Sequence, residues 1–205
     1  MNRDRLCTAL TAAALAFFTA WGCTECLISA FDLRLQDPSA PVKIFVLAAI
    51  VAALLLSCRY GSIILLCILA LFSGYICHDG TALEQLKALI SQLSTIYDRA
   101  YGWGILKFSE EPAQSTFADW PLCIWGVLIS IAVCRTVCQQ KSVWLPVLVA
   151  VLPLCSCIVV TDTVPDEAFL LMILASLILL ILTSSVRRET PCQANRLTAT
   201  AAIPE

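Results

Sequence analysis

Six continuous apolar runs, separated by segments whose charges are sorted by sign, constrain this chain more than any other feature. The runs are Leu6–Phe31, Val42–Ser57, Ser62–Cys77, Trp120–Cys138, Val143–Val160 and Ala168–Ser184. About 20 apolar residues cross a ~30 Å hydrocarbon core as a helix. The second and third runs are short for this, and Arg59 and Tyr60 extend them by reaching to the interface. The runs are continuously apolar rather than alternating, which excludes β-barrel strands. Of the 205 residues, 60% are hydrophobic and 14% charged, whereas a soluble domain is nearer half and a quarter. The expected fold is all-α: a polytopic membrane protein with about six transmembrane helices and one external amphipathic helix.

Orientation follows from the basic residues. With the N-terminus inside, the inner segments hold Arg3, Arg5, Arg59, Arg135, Lys141, Arg187, Arg188 and Arg196, against the acids Asp4, Glu189 and Glu205. The outer segments hold eleven of the 15 acids and only five bases: Arg34, Lys43, Lys87, Arg99 and Lys107. Short basic loops stay on the cytoplasmic side. A multi-pass plasma-membrane protein with both termini cytoplasmic is therefore expected. The first run is too long for the apolar core of a cleaved signal peptide, and no small-residue cleavage site follows it. Trp21 stands where a lipoprotein signal at Cys23 would want a small residue.

The long outer connection, 79–119, has structure of its own. Thr81-Ala82-Leu83-Glu84 reads as a capping box. Leu83, Leu86, Ile90, Leu93, Tyr97 and Tyr101 then recur at helical spacing, widened by Leu89 and Ile96. An amphipathic helix over 82–101 is expected, with Gly102 and Gly104 offering a stop. It either rests on the outer leaflet or bundle, or forms a docking surface for an extracellular domain or partner. Glu110 through Thr116 reads as a polar turn region. Asp119 is expected to cap the fourth span, with Pro121 in its first turn. Trp103, Trp120, Trp125 and Trp144 suit an interfacial belt. Pro153 is expected to kink the fifth span. Residues 1–188 form the membrane domain, and 189–205 a cytoplasmic linker or tail. Arg196–Pro204 looks like the opening of a further apolar segment, as in a truncated chain.

Candidate chemistry is sparse. Glu25 is the one carboxylate within a run. An intramembrane acid marks a site by default, but one near a helix end also simply reaches the headgroups. Cys23 and Cys26 form a C-x-x-C pair on one helical face, and Cys77-His78 ends the third run on the same side. These residues could serve a small thiol-redox enzyme. Against that, cysteine packs well between helices, and the pair lacks the strand–helix context of a redox motif. His78 is the single histidine among the 12 cysteines and 15 acids. It could shuttle protons or sit satisfied beside Asp79. No catalytic set, metal set, cofactor loop or nucleic-acid patch is expected. A small transporter subunit would have only Glu25 and Thr24 to line a polar cavity.

Three stretches carry a resemblance: Ile96-Tyr97-Asp98-Arg99-Ala100-Tyr101-Gly102, Leu179-Leu180-Ile181-Leu182-Thr183-Ser184-Ser185-Val186-Arg187-Arg188, and Asn195-Arg196-Leu197-Thr198. Together with the general plan, they resemble the N-terminal membrane region of bacterial membrane-anchored transglutaminase-like proteins. The resemblance implies a non-catalytic anchor in the bilayer. In that family a further span leads to an external papain-like domain, and no position in this chain matches its triad. Twelve cysteines are a departure from what the family would suggest.

Overall fold

The computed structural model describes residues 3–31, 33, 35–58, 60–101, 119–139, 142–160 and 166–200. It is all-helical, with no strand among the described residues. The helices are α1 (Arg3–Phe31), α2 (Ala40–Leu56), α3 (Gly61–Asp79), α4 (Thr81–Tyr101), α5 (Asp119–Gln139), α6 (Trp144–Val160) and α7 (Glu167–Thr200). Among the described residues, three helices are long and apolar enough to cross a membrane: Arg5–Phe31, Asp119–Gln139 and Glu167–Ser185. Ala40–Leu56 and Gly61–Gly74 are shorter apolar helices. The amphipathic segment forms α4, within a residue of its expected start.

The apolar span of α7 ends at Ser185, within a residue of its expected end, and the polar segment from residue 189 continues the helix through Pro191 to Thr200. No glycine follows Arg188 to end the helix, and a proline removes one backbone bond without always breaking the helix. Likewise α6 continues as helix across Pro153, whose side chain lies outside the described residues.

The core is assembled from ladders of small residues spaced four apart. Ala12, Ala16, Ala20 and Thr24 line one buried edge of α1. On α2 the same spacing gives Phe45, Ala49 and Ala53, all buried. On α5 it gives Gly126, Ser130 and Cys134, all buried, and then half-buried Cys138. Residues four apart share a helix face. Small side chains there let backbones approach closely, which is how helices associate where hydrocarbon supplies no hydrophobic drive. At one level the three ladders meet: the Cys134 thiol lies 3.7 Å from the carbonyls of both Ala12 and Ala49. α7 packs antiparallel along another side of α1. Ile173 lies over Gly22, where an added Cβ would come within 2.7 Å of its Cγ1. Beyond it the Thr19 and Ser176 hydroxyls lie 3.0 Å apart, both buried. Each also reaches a carbonyl of its own helix, Leu15 at 2.7 Å and Ile173 at 2.8 Å. Two protons therefore serve three acceptor contacts.

Hydrogen bonds define the two ends of the bundle. At one end Gln139 Nε2 donates to the Ser62 hydroxyl. There the α2–α3 turn closes by Gly61 N–H to the Cys58 carbonyl, 3.2 Å, the tight hairpin expected from sequence. At the other end the Asp119 carboxylate accepts the backbone N–H of Gln36 at 3.2 and 3.3 Å. Asp119 thus clamps the α1–α2 connection rather than capping its own helix. The N–H of Trp120 goes instead to Gln85 Oε1 of α4, at 3.0 Å. In the same connection the Ser39 N–H and hydroxyl donate to Asp37 and hold its carboxyl below the usual range. Gly80, at φ 69°, turns the chain between α3 and α4. The Glu84 N–H bonds the Gly80 carbonyl, and the Thr81 side chain of the expected capping box lies outside the described residues.

The outward faces are apolar. Leu47 and Leu54 on α2, Ile63, Leu66 and Leu71 on α3, and Leu171, Leu174 and Leu182 on α7 are all exposed. A soluble surface rarely carries such continuous patches. With three helices of spanning length, these faces identify a helical membrane protein.

Candidate functional site

Seen from α1, the sequence candidates divide into packing residues and end residues. Cys23 and Cys26 share a face, as their spacing predicts, and both are 0% exposed in the main core. They continue the small-residue packing of α1. Glu25 is half-buried, and the Trp21 indole donates to its Oε1 at 3.1 Å. Trp21 itself stacks on Phe17, with centroids 5.5 Å apart, and meets the Phe169 ring of α7 edge-on at 6.0 Å. Glu25 is thus tied one turn back along its own helix. His78 is exposed at the end of α3, and the Cys77 side chain lies outside the described residues. α3 packs on α2 and α4, while the main neighbours of α1 are α5, α2, α7 and α6. Among the described residues α3 is thus not a main neighbour of α1. Among the described residues no three His, Cys, Asp or Glu side chains gather as a metal site.

Serine at positions 23 and 26 should be tolerated. Hydroxyls in this bundle bond the carbonyl four residues back, as in Thr24 to Ala20 at 2.9 Å and Ser130 to Gly126 at 2.9 Å. The same bond is open to a serine at either cysteine position. We expect Cys23→Ser/Cys26→Ser to insert normally and to lose about 1 kcal/mol of stability. Unfolding in mixed detergent measures this. Loss of a thiol-dependent turnover in a stable double variant would instead support the redox reading.

The site that the structure does build was not among the sequence candidates. A cavity of ≈ 360 Å³ lies between α4, the outer end of α1 and the first turns of α5. α1 contributes Leu27 and Phe31, and the connection after it contributes Leu33. α4 contributes Leu86, Leu89, Leu93 and Tyr97. α5 contributes Pro121, Leu122, Ile124 and Trp125. Ala30, Phe31, Leu33 and Leu122 form a second small core there, against which Leu89, Leu93 and Ile96 pack. Gln85 and Asp119 pin the surrounding elements through the two bonds described above. The volume falls within the ~300–1,000 Å³ range of small-ligand sites, which are mostly apolar with few polar groups.

Trp125 is the polar exception. Its Nε1 is buried and, among the described residues, has no hydrogen-bond partner. A buried indole N–H usually finds an acceptor. The sequence suits Trp125 to an interfacial belt together with Trp103, Trp120 and Trp144. Trp144 fits that role at 79% exposure. Trp120 packs its ring on Phe72 at 6.3 Å. Trp103 lies outside the described residues. The amphipathic stripe on α4 was the available signal for the cavity, but its partner residues on α5 sit in an unbroken apolar run.

Comparison of the chain with protein-family models, curated proteins and solved structures finds no match.

Proposed function

We propose that this chain is a non-catalytic membrane module: six spans in the plasma membrane, both termini cytoplasmic, and α4 on the outer face. One observation carries the reading, namely that charge sorts between the two ends of the bundle. The end marked by the Gln139–Ser62 bond carries Arg5 on the first turn of α1 and Arg135 on the last turns of α5. The opposite end carries Asp37, Glu84, Asp119, Asp166 and Glu167. Basic residues are retained inside, so the first end is cytoplasmic. α2 and α3, with 17 and 19 residues, are at the short limit for a span, and local bilayer thinning accommodates such helices at modest cost.

On the sequence resemblance, the module serves as the anchor of a bacterial transglutaminase-like cell-surface protein, and α4 offers a platform for an external domain or partner. Two measurements test the proposal. A membrane-impermeant maleimide should label cysteine introduced at Glu84 in intact cells, and should label one at Arg188 only after lysis. Labelling of both positions from outside would overturn the topology. An immunoblot against α4 should show a native product far above 22.3 kDa. A band at that mass would remove the transglutaminase reading and leave the membrane module standing.

A further inference from the structure

We propose that Glu25, Trp21 and Phe169 form a site for the ammonium group of a membrane-borne amphiphile, with the carboxylate as counter-ion and the two rings as walls. The inference rests on the membrane reading and adds a ligand chemistry to it. Its first support is position. Glu25 lies six residues before the end of α1 at Phe31, about 9 Å along the helix axis. It continues an outward stripe of α1 that runs through exposed Leu10 and Phe18 and half-buried Trp21. The carboxylate is therefore reached from the lipid side of the bundle, where an acid marks a ligand or ion pathway by default. The second support is the missing counter-charge. Among the described residues the Trp21 indole is the one partner of this carboxylate, at 3.1 Å to Oε1. No Lys or Arg occurs in α1 after Arg5, in α6, or in α7 before Arg187. Lys43, at the start of α2, donates instead to the Ser39 hydroxyl at 2.7 Å. Asp166 and Glu167 stand exposed where α7 begins, one turn from Phe169, and their negative charge attracts a cation. The third support is the rings. Phe169 meets Trp21 at 67°, with centroids 6.0 Å apart, so the two planes make a corner rather than a stack. Phe17 stacks on Trp21 and holds its plane, and the indole N–H edge holds the carboxylate. Aromatic faces attract a cation within about 6 Å. A hard inorganic cation needs several oxygen ligands, which ring carbon does not supply. An organic ammonium lays its own hydrocarbon against the rings and its charge against Glu25.

The test uses the full chain in nanodiscs of phosphatidylglycerol, a lipid without an ammonium group. The probe is tritiated dodecyltrimethylammonium, and empty discs give the partition background, which rises in proportion to probe. Discs carrying the chain should add a saturable component. Dodecanol, with the same tail and no charge, should not displace it. Glu25→Gln keeps an oxygen for the indole N–H and removes only the charge, so the fold is retained and half-saturation should rise about tenfold or more. Trp21→Leu removes one wall and should raise it about three- to tenfold. Added phosphatidylethanolamine separates the two sources of the ligand. Displacement by it assigns the site to a lipid headgroup, and displacement by dodecylammonium alone assigns it to a diffusible amphiphile. Binding that rises only in proportion to probe would overturn the proposal, as would a saturable component that Glu25→Gln leaves unchanged. A chain that fails to enter the discs would mark failure of the membrane reading itself, and the proposal would fall with it.

Discussion

Gly61→Ala should destabilise the bundle by about 3 kcal/mol or more, beyond the usual cost of one added methyl in a packed core. A Cβ built on Gly61 falls on the backbone carbonyl of Leu55, with the rest of that residue's backbone directly behind it. A side chain could rotate away, but a carbonyl fixed in the last turn of α2 cannot. The same turn is closed by Cys58 N–H to Leu55 at 2.9 Å and Gly61 N–H to Cys58 at 3.2 Å. Making room for the methyl must therefore open the hairpin. α3 depends on that hairpin, since among the described residues its further contacts are few, with α4 and with Gln139 and Trp120 of α5. Gly74→Ala, in the same helix, is the control. Nothing lies within 4 Å of its added Cβ, so the change should be neutral or stabilise by about 0.5–1 kcal/mol through helix propensity. Unfolding in mixed detergent micelles would measure both, and equal stabilities for the two variants would refute the steric account.

The helical plan could be read from sequence because the physics that fixes it is local. An apolar run of sufficient length has one solution in hydrocarbon, a helix with its backbone bonds internal. The stripe from Leu83 to Tyr101 is likewise a local signal and yielded α4. What escaped was pairing between elements. Gln85 reads as a polar residue of the amphipathic helix and Asp119 as a helix cap, yet they bind Trp120 and Gln36, 35 and 83 positions away. Trp125 near a helix end reads as a belt residue until α4 is laid across it. Cys23 and Cys26 read as a C-x-x-C pair, and a second period, of four, runs through the core. Gly126, Ser130, Cys134 and Cys138 carry that period in plain view. In this setting the thiol is a small packing group that tolerates a carbonyl at 3.7 Å. Beyond its apolar span α7 continues as helix, because polar composition alone does not stop a helix.

Where those ladders cross, one pair should show the strongest coupling in the molecule. Phe45 is 0% exposed, and its ring lies flush against Gly126, where an added Cβ would overlap Cε1 and Cζ. Gly126→Ala is expected to lose about 1–3 kcal/mol, because the added methyl must displace a fully buried ring. Phe45→Ala removes the ring altogether and should lose about 3–5 kcal/mol. In a bilayer this loss does not arise from transferring the ring into water, since lipid is as apolar as the core. It arises from dispersion contacts that a void cannot replace. Phe45→Leu supplies the decisive comparison. Leucine keeps most of the volume near the backbone but withdraws the ring edge from Gly126. Alone it should cost about 1–2 kcal/mol. In its presence Gly126→Ala should become nearly neutral, a coupling of about 1 kcal/mol or more in the double-mutant cycle. Strict additivity would mean that the ring and the glycine do not meet. The parallel approach of α2 and α5, which also sets Ala49 against Cys134 and Ala53 against Cys138, would then need a different register.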